Sequence, residues 1–261
     1  MNPVRTLFVV WQDAATRSFF PVGRLSKVDH PSGTAFEFVY TRGVHQASGF
    51  GFKPFMAFPE LSMTYRSERL SPFFENRLVP PTRTDFGGFV KSLGLDPATA
   101  TEMDILARSG GRRVTDSVEL FAAPEVALPD ECLVYFFLSH GLSHMRACAQ
   151  ERVASLPSGE RLFIVHDLQN PVDPQALSLR TADYCCVGFL PRYLASDTWR
   201  LLNSGAEVQV LVEQMNPPPA PVQQRLLCRM LASKIREFIP CADEIYQPYS
   251  GLPARSLALR P

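Results

Sequence analysis

The sequence predicts an α+β protein of two modules: an N-terminal β-rich module with three short helices, and a C-terminal small β-barrel with one or two helices. Apolar runs with period-two alternation recur along the chain, which is the pattern of half-buried strands. Short helical segments carrying recognisable caps cluster between residues 71 and 111. A stretch with two prolines and few large apolar groups, residues 122–130, reads as an extended linker. The expected boundaries are therefore 1–124 for the first module, 131–238 for the second, and 239–261 for a C-terminal tail without periodicity.

In the first module, Thr6-Leu7-Phe8-Val9-Val10-Trp11 is a strand candidate. So is Thr34 to Tyr40, where Phe36, Phe38 and Tyr40 alternate with small or charged residues. Residues 43–59, rich in Gly, Phe and Pro, read as an irregular packed loop. Ser71-Pro72 supplies an N-cap with proline at the first helical position, opening a helix over 73–78 that stops before Pro80-Pro81. Thr84-Asp85 caps a second helix with Phe86, Phe89, Val90 and Leu93 on one face. Asp96 or Thr99 starts a third, with Met103, Leu106 and Ala107 inward, ended by Gly110-Gly111. Ser117 to Phe121 closes the module as a strand.

The second module is dense in strand signals: Cys132 to Leu138, Arg161 to His166, Ala176 to Arg180, Tyr184 to Phe189, Ala206 to Glu213 and Leu226 to Leu231. Pro191 opens a helix to about Asn203, with Leu194, Thr198, Leu201 and Leu202 on one stripe. The proline run 217–221 reads as a stiff loop joining two strands.

Composition excludes several classes. The chain has 261 residues, 46% hydrophobic and 20% charged, with mean hydropathy −0.03. No apolar run approaches the roughly 18 to 20 residues of a membrane helix, and the N-terminus lacks signal-peptide features; the expected location is the cytoplasm, with no membrane partner. The six cysteines form no Cys-x-x-Cys pair, so buried reduced thiols are expected, and no metal. Zinc held with His140 and His144 is the alternative, but that spacing alone is weak evidence. Basic and acidic residues balance, 26 of each, and split 14 to 12 in residues 1–124 and 10 to 12 in 125–238. Neither half carries the basic excess of a protein that grips duplex phosphates along its length. A nucleic acid would have to be held locally. The chain lacks a phosphate-binding glycine loop with its lysine, a nucleophile elbow and a His-Glu-x-x-His motif, so no enzyme and no cofactor is expected.

The stretch from Gly159 through Asp167-Leu168-Gln169-Asn170-Pro171-Val172-Asp173 to Arg180, with Gly188-Phe189-Leu190-Pro191-Arg192-Tyr193 downstream, resembles a HIRAN domain. That is a small β-rich module of DNA-damage translocases and many bacterial proteins. The resemblance implies an OB-like barrel and a site for a single-stranded DNA end or distorted DNA, drawn from Ser143, His144, Asn170, Val172, Asp173, Phe189 and Arg192. In it Asp173 would accept a hydrogen bond from a terminal 3′-hydroxyl. Asn170 would orient the turn or touch the sugar, Arg192 would meet a phosphate, and His144 would offer a stacking face. The chain departs from the family where Val172 replaces an aromatic, Ser143-His144 replaces a basic–aromatic pair, and Gln175 replaces asparagine. Valine cannot stack a base, and stacking contributes about 1 to 3 kcal/mol. Independently of any ligand, an Asn-Pro-x-Asp segment also forms a turn capped by its own side chains.

Residues 4–123, through Phe58-Pro59-Glu60-Leu61, Pro72-Phe73-Phe74-Glu75-Asn76-Arg77-Leu78, Leu106-Ala107-Arg108 and Val114 to Leu120, resemble the N-terminal subdomain of HipA-type kinase toxins. The catalytic core that follows this subdomain in the toxins is absent, and kinase activity with it. Two functions are thus expected from resemblance: recognition of single-stranded DNA, a 3′ end in particular, by the second module, or an antitoxin-like adaptor whose first module docks on a separately encoded kinase core.

Overall fold

Period-two alternation becomes two antiparallel sheets in the computed structural model, which describes residues 4–30, 33–124, 126–127, 132–233, 235 and 238–250. The fold is α+β, with twelve strands and six α-helices among these residues. The strands are β1 (Thr6–Gln12), β2 (Phe19–His30), β3 (Gly33–Tyr40), β4 (Thr64–Ser67), β5 (Val118–Ala122), β6 (Val126–Ala127), β7 (Cys132–Leu138), β8 (Arg161–His166), β9 (Leu177–Arg180), β10 (Cys186–Phe189), β11 (Glu207–Met215) and β12 (Leu226–Ser233). The helices are α1 (Gly43–Ser48), α2 (Pro72–Glu75), α3 (Phe86–Ser92), α4 (Glu102–Ser109), α5 (Ala147–Ala154) and α6 (Arg192–Asn203). Two compact units result. One holds the described parts of 1–87, 97–123 and 241–261; the other holds 88–96 and the described parts of 124–240.

In the first unit the sheet order is β4-β3-β2-β1-β5. Its centre is β2, a strand of twelve residues that residue pattern alone does not reveal. Opposite β2 the register of β1 jumps from Val9↔Gly23 to Val10↔Pro21, so Val22 is an extra, bulged residue. The bulge breaks the alternation, with buried positions at Phe20, Val22 and Leu25, and gives Pro21 a place inside a strand. An aromatic cluster fills the core. Phe38 stacks on Phe58 at 4.2 Å and meets Tyr40 edge-on at 5.0 Å. The buried Tyr40 hydroxyl donates to the Phe58 carbonyl (2.7 Å) and accepts from the Phe55 N–H (2.8 Å), so its polar end is satisfied. Burial pushes that phenol well above its ordinary range.

Ser71 caps α2, accepting from the Phe73 N–H at 3.4 Å. The third helix of this region starts later than expected. Thr101, rather than Asp96 or Thr99, caps α4, because Thr101 and Asp104 form a reciprocal capping box and Asp104 also takes the Val4 N–H. Residues 43–59 are less irregular than their composition suggests, since α1 occupies their start. Gly43 permits this: a Cβ there would overlap the Pro21 carbonyl and lie 3.2 Å from the Ile245 oxygen.

That last contact belongs to the chain's return. Tyr246, 6% exposed, packs on Phe8 at 4.9 Å and Phe121 at 6.4 Å. Tyr249 N–H donates to the Tyr40 carbonyl at 2.8 Å, and Arg42 N–H to the Gln247 carbonyl at 2.9 Å. Residues 241–250 of the expected tail are therefore a packed strap of the first unit; 251–261 lie outside the described residues. Of the expected linker, Val126 and Ala127 pair with Leu133 and Cys132, while 125 and 128–130 also lie outside the described residues.

In the second unit the sheet order is β10-β9-β8-β11-β12-β7-β6. His140, just beyond β7, exchanges both backbone hydrogen bonds with Phe189 of β10, each 2.9 Å. The sheet thereby meets itself, and β7 to β12 close into a six-stranded barrel with β6 outside. Helix α6 buries Leu194, Ala195, Thr198 and Leu201, whereas Leu202, expected on the same stripe, is 39% exposed. The second half of α3 packs with this unit: Gln214 and Asn216 side-chain amides donate to the Lys91 and Ser92 carbonyls at 3.1 and 2.7 Å. The residue pattern gives no sign of α5, an eight-residue helix burying only Ala149 and Val153.

The cysteines correct one expectation. All six are free thiols, but only Cys228 and Cys241 are buried; Cys148 is exposed and the other three are intermediate. A strand alternates, so an apolar run does not bury every residue in it.

Candidate nucleic-acid interface

The expected site residues fall at and beside the barrel closure. The turn between β8 and β9 is ordered by its own side chains. Asn170 donates from Nδ2 to Asp167 Oδ2 (3.1 Å), and its Oδ1 accepts from the backbone N–H of Val172 and Asp173, both 3.0 Å. Asp173 Oδ1 accepts from the Gln175 N–H at 3.0 Å. These are Asx turns in tandem. They fix the direction of both carboxyl oxygens of Asp173.

Asp173 Oδ2 then pairs with Arg192 Nε at 3.1 Å, with side-chain exposures of 15% and 30%. Arg192 opens α6 directly after Leu190-Pro191, and the Leu190 N–H donates to the Leu177 carbonyl (2.9 Å), which ties the helix start to β9. Geometry thus joins Asn170, Val172, Asp173 and Arg192 in one corner. Val172 is 55% exposed and Leu168 79% exposed, so the corner's outer lip is apolar.

Phe189 lies at the closure itself. Gly141 packs so tightly on it that a Cβ would stand 3.1 Å from the ring. Gly141 begins the 3-10 turn Leu142–His144, in which Leu142 is buried and Ser143 and His144 are exposed. Asn170, Val172, Asp173 and Arg192 thus form one group, and Ser143 and His144 lie on the turn that packs beside Phe189.

Two residues that pattern reading missed brace the turn. His166 Nε2 lies 2.7 Å from the Pro174 carbonyl, and its ring meets Trp199 edge-on at 4.8 Å. Trp199 Nε1 donates to the Gln175 carbonyl at 3.4 Å. The detectable signal was an aromatic on α6 about two turns beyond Arg192. Among the described residues, no three His, Cys, Asp or Glu side chains converge in a way that would hold a metal ion, and no helix is long and apolar enough to cross a membrane.

The first unit carries a cavity of about 190 Å³ walled by Trp11, Phe52, Phe55 and Phe73, with Lys53 and Asp116 on its polar side. Asp116 is already engaged: Arg77, with a side chain 1% exposed, forks onto its two oxygens at 3.1 and 2.6 Å.

No protein-family model matches the chain, and no curated protein matches it. Two solved structures do. One is a protein from Lactobacillus plantarum, 16% identical, with TM-score 0.31, covering 39% of this chain and 96% of that one. The other is the HIRAN domain of human HLTF, also 16% identical, with TM-score 0.28, covering 39% of this chain and 73% of that one. Neither is described as a kinase toxin, and neither likeness assigns a ligand to this chain.

Proposed function

We propose that the second unit is a non-enzymatic nucleic-acid-binding module that takes a single-stranded DNA end at the corner formed by the β8–β9 turn and the start of α6. The observation that carries this reading is the Asp173–Arg192 pair, with Asn170 fixing the carboxylate and Arg192 left partly exposed. A carboxylate whose oxygens each accept one hydrogen bond still has lone pairs for a terminal hydroxyl. A 3′-phosphate would meet the same carboxylate and be repelled, so end chemistry would be read by rejection as well as contact. A guanidinium presents its donors in a fixed planar fork, a geometry suited to a phosphate. The balanced charge of the chain fits a local grip rather than a broad one.

The test is fluorescence anisotropy with labelled oligonucleotides carrying free or phosphorylated 3′ ends. A free end should bind about tenfold or more tightly than a phosphorylated one, with Asp173→Asn removing the difference. Equal, millimolar-range binding of both ends by the wild-type chain overturns the reading. Docking of the first unit on a kinase core rests on sequence resemblance alone.

A further inference from the structure

We propose that a strip on the outer wall of the barrel, Arg161, Phe163 and Arg180, is a second contact surface for single-stranded nucleic acid, on which a base stacks against Phe163 while the two arginines take flanking phosphates. The inference rests on the barrel being a nucleic-acid module, but it concerns a different face from the Asp173–Arg192 corner.

Strand β8 alternates cleanly. Leu162 is buried, while Arg161, Phe163 and Val165 are exposed, Phe163 at 43% and Val165 at 39%. Phe163 and Val165 together make a small apolar patch on the outer wall. Residues directly opposite one another in an antiparallel pair share a face. Phe163 is opposite Arg180 of β9, so that arginine stands beside the ring on the same outer wall. Arg161, two residues earlier on the same strand, lays its guanidinium over the ring at 5.3 Å. One aromatic is thus bracketed by two cations.

The charges decide the occupant. Of the acids flanking these strands, Glu160 and Asp183 both bind Arg152 and Glu213 binds Arg229, while Glu207 is an exposed acid on β11, the strand paired with β8. Among the described residues neither Arg161 nor Arg180 has a carboxylate partner, and Arg180 Nε is buried without a hydrogen-bond acceptor. A partner must therefore be anionic and present a flat π face beside its charge. Single-stranded nucleic acid does both, and aromatic side chains interleaved with arginines are its usual platform. The guanidinium over Phe163 is a weak, exposed cation–π contact, which base stacking can displace.

The experiment measures binding of fluorescein-labelled dT12 by the full chain and by Phe163→Leu, Arg161→Gln and Arg192→Gln, with urea unfolding of each variant as the check on folding. Phe163→Leu keeps the exposed position apolar and should weaken binding about tenfold, equally for free and phosphorylated 3′ ends. Arg161→Gln should lower the salt slope by about 0.7. If Phe163→Leu binds like wild type while Arg192→Gln abolishes end preference, the strip is overturned and the corner stands. If Phe163→Leu weakens binding and no end preference exists, the strip stands and the corner falls. No binding of dT12 by wild type overturns both. A phosphoserine peptide bound more tightly than dT12, and indifferent to Phe163→Leu, also overturns the strip.

Discussion

Gly188 is where the barrel closure is most exposed to a single substitution. Its φ is +119°, a conformation that L side chains rarely adopt. A Cβ there would stand 2.7 Å from the His140 carbonyl oxygen and overlap the Ser139 hydroxyl. Ser139 is 1% exposed, and its hydroxyl donates to the Val187 carbonyl at 3.0 Å. Gly188→Ala therefore imposes backbone strain of about 1 to 3 kcal/mol. It also displaces a buried hydroxyl from its acceptor, at about 1 to 3 kcal/mol. The sum is a loss of about 2 to 6 kcal/mol from the second unit. The chain has two tryptophans, Trp11 in the first unit and Trp199 in the second, so urea unfolding in a Trp11→Phe background reports the barrel alone. Adding Ser139→Ala removes the hydroxyl overlap but not the strained φ, and should restore about 1 to 2 kcal/mol relative to the simple sum. A Gly188→Ala midpoint within about 0.5 kcal/mol of wild type, or a double variant showing no recovery, would refute the account of closure.

Other perturbations follow from single contacts. Asp116→Asn leaves the buried Arg77 guanidinium without its counter-charge; because Asp116 is 32% exposed the loss should be moderate, about 2 kcal/mol in the Trp11 signal. Thr101→Ala breaks the capping box of α4 and should lower the same transition by about 1 kcal/mol. Tyr246→Ala strips the strap from Phe8 and Phe121 and should cost the first unit about 3 kcal/mol, leaving the Trp199 transition in place. Thiol labelling at pH 8 should modify exposed Cys148 first. Cys185 should lag, its thiol pushed up mainly by burial and then by Asp183, and Cys228, raised by complete burial, should react only on unfolding. Mass spectrometry of the labelled chain would show the order.

Strands written as uninterrupted apolar or alternating runs were legible: β1, β3, β7, β8 and β12 stand where residue pattern puts them. The α+β class followed from these together with the caps at Ser71 and Gly110. What escaped has physical causes. Around the bulge at Val22, Phe20 to Gly23 are buried in succession, so β2 shows no alternation there, and Pro21 reads as a stop. Helix α5 buries two small side chains and so has almost no apolar stripe. In the site, the Asn170–Asp173 turn was visible because asparagine, proline and aspartate have few uses in such an order. The closure at His140 and Phe189 was not, since a backbone exchange between residues about fifty apart leaves no mark on composition. His166 and Trp199 brace the turn through carbonyls, which every residue possesses.

The strap that completes the first unit carries a consequence for biosynthesis. Phe8 and Phe121 are covered by Tyr246, and a ribosome must translate the whole second unit between Ala123 and Cys241 before that tyrosine exists. At about 5 to 20 residues per second, the nascent N-terminal sheet waits several seconds with an aromatic seam open, long enough for a chaperone to find it. Misfolding of this chain should therefore be governed by elongation speed through codons for residues 124 to 240.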